Sequence, residues 1–275
     1  MTRDWFEWAI KYSNIKYAKD GYGNGLIHMA SLNNYIQIVT RLLEYGVDVN
    51  SETHTKDTPL HLASANGYMD TIELLINNGA NVNARNKFDK VPIFGATYGG
   101  HLEAVETLLI HGANPNIQNI QFETSLHLAC QKGRKDIAAK LLKGGADINF
   151  QNRNEETPLL IATTRGHVEV VSLLLKNDAN IDIGDKKKNN PIHVASQKGC
   201  EELVELLLSN NVMVNLLNSN GKNPLHLASE NGHANVVNLL LSYSSIETNL
   251  NSTINGNGTI DAKGTFDANL TRLTI

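Results

Sequence analysis

Cysteine is nearly missing from this chain: Cys130 and Cys200 are the only two in 275 residues. That leaves no framework for a disulfide-stapled scaffold, and it fits reduced thiols in a reducing compartment. Aromatic residues make up 6% and charged residues 19%, while the apolar fraction of 41% is ample for a packed core. The net charge of −4 argues against a surface built to coat nucleic acid or anionic membrane. No apolar run approaches the ~18 residues needed to cross a bilayer. The opening Met1-Thr2-Arg3-Asp4-Trp5-Phe6-Glu7 has no basic segment followed by an apolar stretch, so no ordinary secretory signal is expected and the protein is expected to be cytoplasmic.

What the chain has in quantity is one phrase. It reads Pro59-Leu60-His61-Leu62-Ala63 in its fullest form and returns every 33 residues without insertion or deletion. Leu26-Ile27-His28-Met29-Ala30 precedes it, and Pro92-Ile93-Phe94-Gly95-Ala96 and Ser125-Leu126-His127-Leu128-Ala129 follow. Pro158-Leu159-Leu160-Ile161-Ala162, Pro191-Ile192-His193-Val194-Ala195 and Pro224-Leu225-His226-Leu227-Ala228 complete the series. A fixed period of this length marks stacked modules that each lack a core of their own. The expected fold class is an all-α repeat solenoid.

Within one unit, Thr58 is placed to cap a short helix and Pro59 to occupy its first position, where a missing N–H does no harm. Gly67 ends that helix, and a second one carries Ile72, Leu74 and Leu75 inward before Gly79 stops it. The alanine column from Ala30 to Ala228 never grows beyond one methyl, so two helices should be pressed close there. The leucine column (Leu42, Leu75, Leu108, Leu141, Leu174, Leu207, Leu240) should be core. Two further columns call for a left-handed backbone. One is Asn34, Gly67, Gly100, Gly133, Gly166, Gly199 and Gly232. The other is Gly46, Gly79, Gly112, Gly145, Asp178, Asn211 and Ser244.

Taken together, the Thr-Pro-Leu-His phrase, the pairs Gly100-His101, Gly166-His167 and Gly232-His233, the paired leucines and the Gly79-Ala80-Asn81-Val82-Asn83 turn closely resemble the ankyrin repeat. The resemblance covers residues 20–243 as seven repeats. It implies helix pairs with projecting hairpin-like loops, and a concave face that binds other proteins. It implies no reaction, no catalytic residues, no cofactor and no metal.

Ten histidines invite a search for a metal site. Five of them (His28, His61, His127, His193, His226) recur once per repeat, too far apart to share a zinc ion with bonds near ~2 Å. By the resemblance they bridge backbone groups of neighbouring loops. His101, His167 and His233 also read as architectural, and His54 and His111 as exposed. The cysteines lie two repeats apart, roughly 20 Å if helices pack 8–10 Å from one another, beyond disulfide reach. Cys130 replaces a small helix residue, and no base is placed to make either thiol a nucleophile.

The resemblance also says where repeats are free to differ: the loop tips and the far end of each first helix line the concave face. The candidate partner-binding residues there are Tyr22, Lys87, Phe88, Lys90, Tyr98, Ile120, Lys132, Arg153, Arg165, Lys186, Lys187, Lys198 and Lys222. Apolar residues (Phe88, Tyr98, Ile120, with Phe122 beside them) cluster in the middle, and basic ones gather from Lys132 to Lys222. A basic, aromatic-edged stripe on an acidic protein suits an acidic protein or peptide segment. Lys186-Lys187-Lys188 taken alone reads first as a solvated loop tip, and anionic lipid headgroups are a weaker alternative. Repeat three departs most, with Phe94, Gly95 and Gly99. Its glycines mark either drift or a close backbone approach.

At the ends, residues 1–19 are expected to form a capping half repeat with Trp5, Phe6, Ala9 and Ile10 on core positions. Residues 244–275, rich in Ser, Thr, Asn and Gly, are expected to be an irregular or flexible tail. The functional expectation is a monomeric, non-catalytic scaffold or adaptor for protein partners, with no nucleic-acid partner and no membrane span. The alternatives are the targeting module of a larger enzyme, or a translocated effector of an intracellular microbe.

Overall fold

Thirteen bounded helices of seven to nine residues follow one another in the computed structural model, which describes residues 18–244. Helices this short are unstable alone, since ~12–15 residues are marginal even in favourable sequences. They persist because each packs on its neighbours. Repeats one to three pair α1 (Leu26–Leu32) with α2 (Ile36–Glu44), α3 (Pro59–Asn66) with α4 (Met69–Asn77), and α5 (Pro92–Gly99) with α6 (Leu102–Ile110). Repeats four to six pair α7 (Ser125–Gln131) with α8 (Lys135–Lys143), α9 (Pro158–Arg165) with α10 (Val168–Leu175), and α11 (Pro191–Lys198) with α12 (Glu201–Leu208). Repeat seven joins α13 (Pro224–Glu230) to a helix, α14, that covers 234–244. Among the described residues there is no strand, only a single bridge between Lys19 and Gly25. No described helix is long and apolar enough to cross a membrane. The expected cap at residues 1–19 falls outside the described residues as far as position 17, and the tail does so from 245 onward.

The two uniform columns behave as expected. The seven column leucines and the seven column alanines are all buried. Successive first helices contact one another along the stack, as do successive second helices, so each repeat completes its neighbour's core. The seven inter-helix residues from Asn34 to Gly232 all have φ between 57° and 83°. Six of the residues that close the second helix, Gly46 to Asn211, also lie in the left-handed region. Ser244 departs from its column: it is still helical, so α14 has not closed at the point where its counterparts have.

A third left-handed column has no common residue type to announce it. Gly23, Lys56, Asp89, Phe122, Glu155, Lys188 and Gly221 sit at each hairpin tip with φ from 54° to 81°. Four of the seven, Lys56, Phe122, Glu155 and Lys188, carry side chains that disfavour this conformation. The conformation is held by the residue three before each tip. In repeat three, Asn86 accepts the N–H groups of Phe88 and Lys90 on its own Oδ1, and Asn119, Asn152, Asp185 and Asn218 repeat the pattern.

In the turns that follow the second helices, asparagines tie repeat to repeat. Asn116 donates through Nδ2 to the Gly145 carbonyl at 2.9 Å and accepts the Asp147 N–H on Oδ1 at 2.7 Å. Asn50 and Asn83 make the same double bridge two repeats and one repeat earlier.

Cys130 belongs to a column in which the buried hydroxyls of Ser31, Ser64, Thr97 and Ser196 have no hydrogen-bond partner. A thiol therefore costs nothing there that a hydroxyl would have supplied. Burial pushes its pKa far above the ordinary thiol range, which makes Cys130 a packing residue.

Candidate partner-binding groove

Each hairpin tip is joined to the next by one backbone hydrogen bond. Lys87 N donates to Thr55 O, Ile120 N to Phe88 O, Arg153 N to Gln121 O, and Lys186 N to Asn154 O, at 2.9–3.2 Å. This ladder aligns the tips, so the side chains of Phe88, Ile120, Phe122 and Arg153 are set beside one another. All three large apolar members, Phe88, Ile120 and Phe122, are exposed, as is Tyr98 at the end of α5.

Three cations are seated over these rings. Lys90 lies 5.9 Å from the Phe88 ring centre, Lys132 4.5 Å from that of Tyr98, and Arg153 5.3 Å from that of Phe122. Arg153 also donates to the Ile120 carbonyl at 2.9 Å. Each contact restrains a flexible side chain and leaves its charge at the surface. Phe122 thus joins the stripe through a pairing that spacing alone could not show.

The other basic candidates divide into two groups. Lys198 donates to the Thr164 carbonyl, and Lys222 pairs with Glu230 at 2.7 Å, so both are already occupied within the array. Lys87, Arg165, Lys186 and Lys187 are exposed, and Tyr22, 79% exposed, stands at the first-repeat end.

Hairpins and first helices meet around a hollow of about 350 Å³. Lys90, Asn119 and Glu123 come from the hairpins, Gly95, Tyr98, Leu128 and Gln131 from α5 and α7, and Ala65 from α3. Sequence reasoning found Lys90 and Tyr98 but not the hollow, because a hollow is made by side chains that are missing.

A family model for ankyrin repeats matches the chain over residues 6–86, 26–119, 93–186, 126–218 and 180–253. The chain belongs to the ankyrin repeat family. The crystal structure of the human ASB11 ankyrin repeat domain is similar, with a TM-score of 0.71 at 27% identity, over 79% of this chain and 98% of that one. No curated protein matches the chain. Ankyrin repeats are protein-interaction modules, typically non-catalytic, and this array is of that class.

The ankyrin histidines hold the groove in register. In the first, second and fourth repeats the N-cap N–H of Gly25, Thr58 or Thr124 donates to Nδ1 of His28, His61 or His127 at 3.1 Å. The ring proton therefore sits on Nε2, which donates to the carbonyl of Ser51, Lys90 or Glu156 in the following hairpin. His193 reaches the Leu216 and Lys222 carbonyls through Nε2. Burial lowers the pKa of all four imidazoles below the ordinary histidine value. His101, His167 and His233 bond back to the carbonyls of Ala65, Gln131 and Gln197 in the preceding repeat. His226 is exposed, and His111, which had no evident partner in the sequence, contacts its own helix at the Thr107 carbonyl.

Proposed function

We propose that this ankyrin array is a scaffold or adaptor that docks a protein partner, through an acidic segment, along the groove between its hairpin tips and first helices. The observation that carries this reading is the row of three cation-on-aromatic pairs in successive repeats: Lys90 with Phe88, Lys132 with Tyr98, and Arg153 with Phe122. Rings offer area for affinity, while the ordered charges select and speed an acidic approach. Arg165, Lys186 and Lys187 extend the positive edge beyond the rings. A chain of net charge −4 has no general attraction for anions, so cations grouped on one face argue for local use.

The test is affinity capture with the wild-type protein and with a variant carrying Phe88→Ala, Tyr98→Ala, Lys186→Glu and Lys187→Glu, shown by circular dichroism to remain folded. The reading expects a specific protein to be lost from the variant. Recovery of the same proteins with both baits contradicts it.

A further inference from the structure

We propose that the hollow beside Gly95 is a specificity pocket that takes one apolar side chain of the docked segment, with acidic residues flanking that side chain. The proposal rests on the docking reading above and deepens it.

Two columns are truncated at the same place. The residue that follows the histidine position reads Met29, Leu62, Gly95, Leu128, Ile161, Val194 and Leu227, and only repeat three lacks a side chain there. Near the end of the first helix the series is Leu32, Ala65, Tyr98, Gln131, Thr164, Gln197 and Glu230, and only repeat two stops at one carbon. Ala65 and Gly95 face each other across the junction of those two repeats. A Cβ on Gly95 would lie 3.1 Å from both Cα and Cβ of Ala65. The glycine thus lets α3 and α5 approach closely, and neither helix fills the space in front of the contact.

Phe94, Tyr98 and Leu128 give that space apolar walls, and its volume of about 350 Å³ is at the low end of the roughly 300–1,000 Å³ of small-molecule sites. A cavity of ~150 Å³ already holds benzene, so the hollow has room for any one side chain of a docked segment. The rim sets its neighbours. Glu123 is the single acid in the lining, and its Oε2 already accepts from Asn119 Nδ2 at 2.9 Å. Lys90 shares the lining, Lys132 is held over Tyr98, and Lys87 and Arg153 stand on the adjoining tips. The occupant that matches this rim is an apolar residue between carboxylates.

The test uses the full chain and a displayed library of short random peptides. Enriched sequences are synthesised, and their affinities measured for the wild type, Gly95→Leu, Tyr98→Ala and the Lys186→Glu/Lys187→Glu pair. The expected peptides carry one Leu, Phe, Met or Trp beside Asp or Glu. Gly95→Leu, which fills the hollow, and Tyr98→Ala, at an exposed position, should each weaken binding roughly tenfold, as should alanine at the peptide's anchor. The anchor and Gly95→Leu losses should not add. If Gly95→Leu fails to fold, Tyr98→Ala and the peptide anchor decide by themselves. Acidic peptides that bind wild type and both pocket variants equally overturn the pocket and leave acidic docking standing. Enrichment of Lys or Arg anchors overturns the pocket's charge assignment and the docking reading with it. Peptides indifferent to every variant overturn both.

Discussion

The Lys132 ammonium sits 4.5 Å above the centre of the Tyr98 ring, across the junction between the third and fourth repeats. A charge fixed on a neighbouring repeat's ring has less freedom to lose on binding than one at the end of a mobile stem. Lys132→Met should leave stability within about 0.5 kcal/mol of wild type, as surface changes usually do. It should slow association with an acidic partner and flatten the salt dependence of that rate, as stopped-flow mixing at low and high ionic strength would show.

Four buried imidazoles make the stack sensitive to acid. Their folded pKa values lie below the ordinary ~6.5, so the unfolded chain binds protons first as the pH falls. Stability is therefore full above the unfolded value and declines below it, until the pH passes the folded values. Each histidine can contribute at most about 1.4 kcal/mol per pH unit to that slope. Urea unfolding between pH 7 and 5 should show the decline. His127→Leu, which gives repeat four the leucine that repeat five already carries at Leu160, should make it shallower. A stability profile flat over that range contradicts the neutral-histidine bridge.

Gly99 shows how a residue that weakens a helix can stabilise a stack. A Cβ there would come within 2.8 Å of the Ala65 carbonyl oxygen, the acceptor that His101 uses from the following turn at 3.1 Å. Gly99→Ala would gain up to about 1 kcal/mol of helix propensity in isolation. In the array it should instead destabilise by roughly 1–3 kcal/mol through overpacking, read as a lower urea midpoint. A raised midpoint would show that α3 and α5 do not meet there.

Asn116 spans two repeats with both ends of its amide. Asn116→Ala removes two inter-repeat hydrogen bonds at an exposed site, each worth about 0.5–1.5 kcal/mol. The melting temperature should fall, whereas Asn177→Ala, which removes a bond within one helix, should change it less.

Much of this architecture is legible in the period itself. A 33-residue interval fixes which residues share a role, so it places Leu75 in the core and Gly67 in a left-handed turn from the sequence alone. The tips are harder, because Lys56, Phe122 and Glu155 take the same conformation without sharing chemistry; the cause lies three residues earlier, in the side chains of Thr53, Asn119 and Asn152 that accept the turn's N–H groups. The groove is partly legible. Exposed Phe88, Tyr98 and Ile120 stand out against the pattern, but nothing in the spacing assigns Lys132 to Tyr98, or shows that Lys198 and Lys222 are occupied by their own protein. The hollow requires two columns to be compared across a repeat boundary, at Ala65 and Gly95.

The most direct test of the account is amide hydrogen exchange on the array with and without a partner recovered by affinity capture. Protection centred on 87–98, 120–132 and 153–165, with α2, α4 and α6 unchanged, is the result that partner docking in the groove predicts. Protection confined to the second helices, with the tips exchanging as they do in the free protein, would contradict it.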